Sequence, residues 1–221
     1  MRLQATLDIL DIEEALAYLE MIKPYIDIVE VGTPLSLMCG IHAVEEIKKR
    51  YPDLIVLDDV KLCDGGRRSS SACFARGADI ITILGISDNE TIKAAIEEAR
   101  RAGRQAEVDM IHVSNLEERL IEVDAMRPDI IGIHVGVDVQ AQGGNPLEAL
   151  KKAKSLVKNA QISVAGGLKD DAFLDEILKL EPDIIIAGNG IRKAENPAYT
   201  AAHLRDRMRK AERMGDRKWM V

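Results

Sequence analysis

The stretch Leu57-Asp58-Asp59-Val60-Lys61-Leu62-Cys63-Asp64-Gly65-Gly66 sets acids and an ammonium side by side. It follows the apolar run Leu54-Ile55-Val56-Leu57, expected to be a short buried strand, and it ends in a glycine pair that marks a turn. Side chains alternate along a strand, so Asp59 and Lys61 are expected on one face, with Asp64 just beyond in the loop. Charges that emerge from a buried strand are costly to desolvate unless they neutralise one another or a ligand. Groups perturbed in this way gather at functional sites. Alone, the triplet reads equally well as a solvated turn holding an ordinary salt bridge. The ends of the other strands decide between the two.

The elements that must position these residues follow in order. Leu3 to Leu7 is expected as the first strand, closing on Asp8, and Ile12 to Ile22 carries apolar residues at helical spacing. Tyr25 to Gly32 is the second strand, with Glu30 near its carboxyl end, and a loop through Thr33, Pro34 and Gly40 leads to a helix from Ile41 to Arg50. Ala78 to Gly85, Ala106 to Met110 with Asp109, and Asp129 to His134 are strands four to six. Asp88 or Asn89 can cap the helix Glu90 to Ala102, which stops at Gly103. A Gly- and Gln-rich connection, Val135 to Asn145, precedes a helix opened by Pro146. Gln161 to Ala165 and Asp183 to Ala187 are strands seven and eight, and a charged helix runs from Ala198 to Met214.

About eight strand-then-helix units with short apolar strands predict a closed parallel (β/α)8 TIM barrel in a single domain, residues 1–214, followed by a C-terminal tail, 215–221, that holds Trp219. The rival is a doubly wound open sheet. Asp8-Ile9-Leu10-Asp11, after the first strand, has no glycine and so lacks a dinucleotide-binding turn.

In a barrel the chemistry lies at the carboxyl ends of the strands. Those ends give Asp8, Glu30, Asp59 with Lys61, Asp109 and His134, and then two glycine turns. Each taken singly reads as a helix cap or a satisfied hydrogen-bonder; converging on one mouth, they read as a site. Ala165-Gly166-Gly167-Leu168 and Ala187-Gly188-Asn189-Gly190-Ile191 are either tight turns or a phosphate cradle, where backbone N–H groups hold a dianion. Glu30 and Asp59 are hard oxygen ligands suited to Mg²⁺, unless Lys61 neutralises one of them with no metal present.

The 221 residues are 47% hydrophobic and only 3% aromatic, enough for one sizeable aliphatic core. A net charge of −7 disfavours a nucleic-acid partner and leaves an anionic substrate to local amides and a few cations. Cys39, Cys63 and Cys73 form no paired or metal-type spacing. No signal-like region opens the sequence and no run is long enough to span a membrane, so a cytoplasmic protein is expected.

The motif Asp59-x-Lys61-x-x-Asp64 resembles the D-x-K-x-x-D signature of the orotidine-5′-phosphate decarboxylase superfamily. From Leu3-Gln4 to about Arg209 the chain is similar to its 3-hexulose-6-phosphate synthase and 3-keto-L-gulonate-6-phosphate decarboxylase branch. Val29-Glu30-Val31-Gly32-Thr33-Pro34, Val108-Asp109-Met110-Ile111, the run His134 to Gly143 and Val164-Ala165-Gly166-Gly167 carry the similarity. Val137, Asp109, Ala165 and Asn189 stand where the decarboxylases have Arg, Glu, Thr and Arg, which leans toward the synthase. Asp58, Cys63 and His112 depart from the branch.

The resemblance implies condensation of formaldehyde with D-ribulose 5-phosphate to D-arabino-hex-3-ulose 6-phosphate through a 1,2-enediolate stabilised by Mg²⁺, with Mn²⁺ as the other candidate ion. It further implies Glu30 and Asp59 as metal ligands, Lys61 facing the oxyanion and His134 as the base. Asp8 and Asp109 are then expected on sugar hydroxyls, and Gly166, Gly167, Gly188 and Asn189 on the phosphate. A homodimer with shared sites is implied too, Asp64 reaching into the neighbouring subunit. The alternatives are the sister decarboxylase and a non-catalytic sugar-phosphate-binding protein.

Overall fold

Eight parallel strands close into a barrel in chain order, β1 to β8, in the computed structural model, which describes residues 1–168 and 170–217. The strands are β1 (Arg2–Thr6), β2 (Ile28–Val31), β3 (Ile55–Leu62), β4 (Ile80–Leu84), β5 (Gln105–Asp109), β6 (Ile130–His134), β7 (Gln161–Ala165) and β8 (Ile184–Ala187). Around them lie α1 (Ile12–Ile22), α2 (Thr33–Cys39), α3 (His42–Arg50), α4 (Gly66–Ala75), α5 (Asn89–Ala102) and α6 (Leu116–Met126). The second half adds α7 (Val137–Ala141), α8 (Leu147–Leu156), α9 (Asp171–Leu178), α10 (Asn189–Arg192) and α11 (Pro197–Arg217). This is the (β/α)8 barrel expected from the sequence. Its main core lies between the sheet and the helices, built from Leu, Ile, Val and Ala.

A device repeated at every even strand closes the bottom of the barrel. Asp27, Asp79, Asp129 and Asp183 each precede an isoleucine that opens a strand. Their carboxylates accept from the backbone N–H of Leu3, Val56, Ala106 and Ile162 at 2.8 to 2.9 Å. Each aspartate thus sets the register of an odd strand against the even strand that follows. The isoleucines Ile28, Ile80, Ile130 and Ile184 then form one fully buried layer across the axis. Asp79 also pairs with Lys48 at 2.9 Å and with Arg104. Asp79→Ala strips the Val56 N–H and two cations of their partner at once, so a loss of about 2–3 kcal/mol in urea unfolding is expected; a loss under about 0.5 kcal/mol refutes this account of the register.

Successive layers upward follow from the strand register. Above the isoleucines lie Gln4, Leu57, Glu107 and Ser163 from the odd strands; then Glu30, Thr82, Gly132 and Ile186; then Thr6, Asp59, Asp109 and Ala165. The axis is therefore apolar at the base and polar from the second layer up.

Local departures from the sequence expectation have physical causes. Thr33 and Pro34 open a helix, α2, where a loop is expected, because proline is tolerated in a first turn; Gly40, with φ of 57°, ends it. Inside the Gly/Gln-rich connection the structure forms the short α7. The last helix runs on to Arg217, past Met214, and the tail residues 218–221, Trp219 included, lie outside the described residues. Among the described residues no helix is long and apolar enough to cross a membrane.

Candidate active site

All twelve side-chain positions of the three polar layers line one cavity of about 610 Å³ that opens at the carboxyl ends of the strands. Asp8, Lys61, His134, Gly166, Gly167, Gly188 and Asn189 line it too. Of the residues expected at the site, Asp64 alone is outside the lining; it is exposed, and its carboxylate accepts from Gly65 N–H at 2.6 Å.

Lys61 and Asp59 share the cavity on the one face that alternation expects, but the backbone between them is not regular strand. Asp58 pairs with Ile81 and Leu62 with Ile83, so three residues of β3 oppose the single Thr82 of β4. Lys61 takes a left-handed backbone, φ 45°, to close this bulge. The Thr82 hydroxyl holds it: Oγ1 accepts from Lys61 N–H at 2.9 Å and donates to Asp59 Oδ1 at 2.9 Å. Thr33 Oγ1 donates to Asp59 Oδ2 at 2.9 Å. A strained backbone thus aims the ammonium over a carboxylate already fixed on two sides.

Acids and cations alternate from there across β3, β5 and β6. Lys61 Nζ pairs with Asp59 and stands 3.7 Å from Asp109 Oδ2. That same oxygen lies 2.9 Å from His134 Nδ1. An ionised carboxylate only accepts, so Nδ1 carries the hydrogen and the neutral ring keeps its lone pair on Nε2. Burial pushes His134 down, but the Asp109 hydrogen bond and charge outweigh it and hold the imidazole above its ordinary value. For Lys61, burial is likewise outweighed by Asp59, and its pKa rises. Asp109, although buried, is held below the usual carboxylate range by His134 and then Lys61.

Glu30 is pushed well above the usual range, by burial first and then by the charge of Asp59. Gln4 Nε2 donates to its Oε2 at 2.6 Å, leaving the other oxygen free of a donor among the described residues. A buried acid beside a second acid fits a divalent cation, which restores ionisation by displacing the proton. Among the described residues no three His, Cys, Asp or Glu side chains converge as a closed metal site. Two carboxylates plus substrate and water oxygens are the donor set Mg²⁺ takes.

The opposite wall is built of glycine turns. Gly166 and Gly167 have φ of 132° and 67°, which turns the chain after β7, and both line the cavity. Gln140 of α7 folds against Gly167, anchored by its Nε2 donating to Val135 O at 2.6 Å. Arg192 Nη2 donates to Asn189 Oδ1 at 2.7 Å, and its buried Nε has no partner among the described residues. Sequence reading missed Arg192, because its position in the loop after β8 becomes meaningful only once α10 turns it toward the cavity. It also missed Gln4, Glu107, Ser163 and Thr82. Polar residues at every second position of β1, β5 and β7 were the available signal, and without a known register they read as solvent-facing.

The chain matches the family described as orotidine 5′-phosphate decarboxylase / HUMPS over residues 1–204. It is 43% identical over 205 residues to 3-hexulose-6-phosphate synthase of Bacillus subtilis (strain 168), spanning 93% of this chain and 97% of that protein. With the protein of that name from Staphylococcus haemolyticus (strain JCSC1435) it shares 41% over 206 residues, 93% of this chain and 98% of the relative. The crystal structure of 3-hexulose-6-phosphate synthase from Salmonella typhimurium is similar at a TM-score of 0.92 and 36% identity, covering 96% of this chain and all (100%) of that one. A crystal structure of KGPDC from Streptococcus mutans is similar at a TM-score of 0.84 and 25% identity, over 95% and 98% of the two chains. With a cavity at the carboxyl face of a closed barrel and a similarity that spans nearly the whole sequence, the chain belongs to the orotidine 5′-phosphate decarboxylase / HUMPS family.

Proposed function

We propose that the protein is an aldehyde-lyase that condenses formaldehyde with D-ribulose 5-phosphate to give D-arabino-hex-3-ulose 6-phosphate. The relatives named 3-hexulose-6-phosphate synthase support the reaction class. The observation that carries the reading is that Lys61 and His134 meet on one carboxylate, Asp109, inside the cavity that the glycine turns also line. A carbanion beside a carbonyl forms only if its charge is delocalised onto oxygen and met by preorganised cations, and this arrangement supplies a base and a cation on one substrate face.

Glu30 and Asp59 would hold Mg²⁺ or Mn²⁺, which supplies Lewis-acid polarisation of the sugar oxygens when bound. The amides of Gly166, Gly167 and Gly188, with Asn189 and the Arg192 guanidinium, take the phosphate dianion. Asp8 and Asp109 accept hydrogen bonds from sugar hydroxyls and fix which carbon faces His134. His134 Nε2 removes the C1 proton, and Asp109 stabilises the imidazolium formed. Lys61 meets the negative oxygen of the enediolate. C1 then forms a bond to the carbon of formaldehyde, whose C=O electron pair moves to its oxygen, and that oxygen takes the proton back from His134. Proton and charge balance within the two reactants.

The test is formaldehyde consumption by the purified protein. Consumption that requires ribulose 5-phosphate and stops with a chelator is expected. No consumption, or turnover of 3-keto-L-gulonate 6-phosphate instead, overturns the proposal and points to the sister decarboxylase.

A homodimer with shared sites is part of the same proposal. It is supported by Asp64 lying exposed outside its own cavity and by exposed Leu10, Leu37 and Met38 in the segments that follow β1 and β2. Mixing Asp64→Asn with Lys61→Ala subunits is expected to restore about a quarter of wild-type activity in statistical heterodimers, since one of the two sites is then intact in half of the dimers. Mixtures no more active than the separate variants refute shared sites.

A further inference from the structure

The second layer of the barrel holds two buried oxygens with no hydrogen-bond partner among the described residues. Glu107 is 3% exposed; its Oε1 accepts from Ser163 Oγ at 2.5 Å, and its Oε2 has no partner. Gln4, from the strand across the barrel in the same layer, is 1% exposed; its Nε2 is spent on Glu30, and its Oε1 has no partner. Room for this carboxyl comes from Gly132, where a Cβ would lie 2.5 Å from Glu107 Oε1 and 3.2 Å from Ser163 Oγ. Both side chains line the cavity. Two buried acceptors in one layer that lines one cavity each demand a donor.

We propose that Glu107 is a positioning residue: it carries a proton on Oε2 and passes a hydrogen bond through one water to Gln4 Oε1, so holding the Gln4 amide in the sense that donates to Glu30. The donors then run one way, from the Ser163 hydroxyl to Glu107, on to Gln4 and finally to the Glu30 carboxylate, so that a single oxygen of Glu30 stays free for a cation. The electrostatic surroundings agree with a held proton. Burial, and then the charges of Asp109 and Asp59, push Glu107 up to about 7 against the Ser163 hydrogen bond and the charge of His134. The charged and titratable groups lining the same cavity are Asp8 after β1, Glu30 on β2, Asp59 and Lys61 on β3, Asp109 on β5, His112 after β5, His134 on β6, Asp138 on α7 and Arg192 on α10; the inward residues of β4, β7 and β8, namely Thr82, Ser163 and Ile186, are neutral. Groups that orient a ligand from behind tune a metal site nearly as strongly as the ligands themselves.

This inference rests on the assignment of Glu30 as a metal ligand, and its test separates the two. Infrared spectra of the full-length protein, with and without saturating Mn²⁺, are compared between wild type and Glu107→Gln at pH 6. A protonated-carboxyl C=O band present in the wild type and missing from Glu107→Gln is expected, fading as the pH is raised past 7. Mn²⁺ titration is expected to show affinity about tenfold weaker in Glu107→Leu and in Gln4→Leu. The double variant is expected to be no weaker than either, and Glu107→Gln, which keeps a donor, to bind like the wild type. Identical infrared spectra for wild type and Glu107→Gln overturn the proposal, as does Glu107→Leu binding Mn²⁺ as tightly as the wild type. A wild type that binds no Mn²⁺ overturns the metal assignment and, with it, the link from Glu107 to Glu30.

Discussion

Lys61→Ala is expected to lower kcat for formaldehyde condensation by about 10³-fold, with KM for ribulose 5-phosphate changing far less. The ammonium is needed where charge develops, not where substrate is already charged: the phosphate is assigned to the glycine turns and Arg192, across the cavity from β3. Loss of Lys61 also leaves Asp59 and Asp109 facing each other without the cation between them. Affinity for a divalent ion should therefore rise while turnover falls, which an electrostatic role demands and a general collapse of the site does not. Lys61→Arg is not expected to restore activity. The guanidinium is planar and larger, and Lys61 reaches the acids from a left-handed backbone position braced by Thr82. Turnover within tenfold of the wild type in Lys61→Ala would remove the oxyanion role.

His134→Gln is expected to cost about 10² to 10⁴-fold in kcat, the range of a lost general base. The pH profile carries the sharper information. In the proposed reaction the base works as the neutral ring, so wild-type activity is expected to rise with pH as His134 loses its proton, and its raised pKa places that limb above the ordinary imidazole titration. Asp109→Asn removes the influence that raised it and leaves burial, which pushes the other way, so the limb moves to lower pH while kcat falls because Nδ1–H is no longer held by a carboxylate. An Asp109→Asn limb at or above the wild-type position would show that Asp109 does not set the proton affinity of His134.

The strand ends were legible because two local rules act together there. Short Ile- and Val-rich runs stop at polar residues, and in a parallel barrel those stops share one face. Asp8, Glu30, Asp59, Asp109 and His134 could thus be gathered before any coordinates, and all of them line one cavity. The bulge in β3 left no trace in the pattern. Two extra residues preserve the alternation of faces, so Asp59 and Lys61 keep the inward sense that plain alternation assigns them, while the backbone between them is quite different. The helix α2 was hidden for a related reason, since Pro34 is as suited to a first helical turn as to a loop.

By itself, the sequence determined the number of strand-helix units, the aliphatic core and the set of acids and bases at the strand ends, because each of these is written in contiguous residues. The aspartate-isoleucine pairs at 27, 79, 129 and 183 belong with them, although their role as register pins is visible only in the hydrogen bonds. Only the tertiary structure decided which residues share a layer. Gln4 and Glu107 are more than a hundred positions apart and come into one layer through the closure of eight strands at one stagger. Register is a property of pairs of strands and closure a property of all eight together, and no local run of amino acids encodes either.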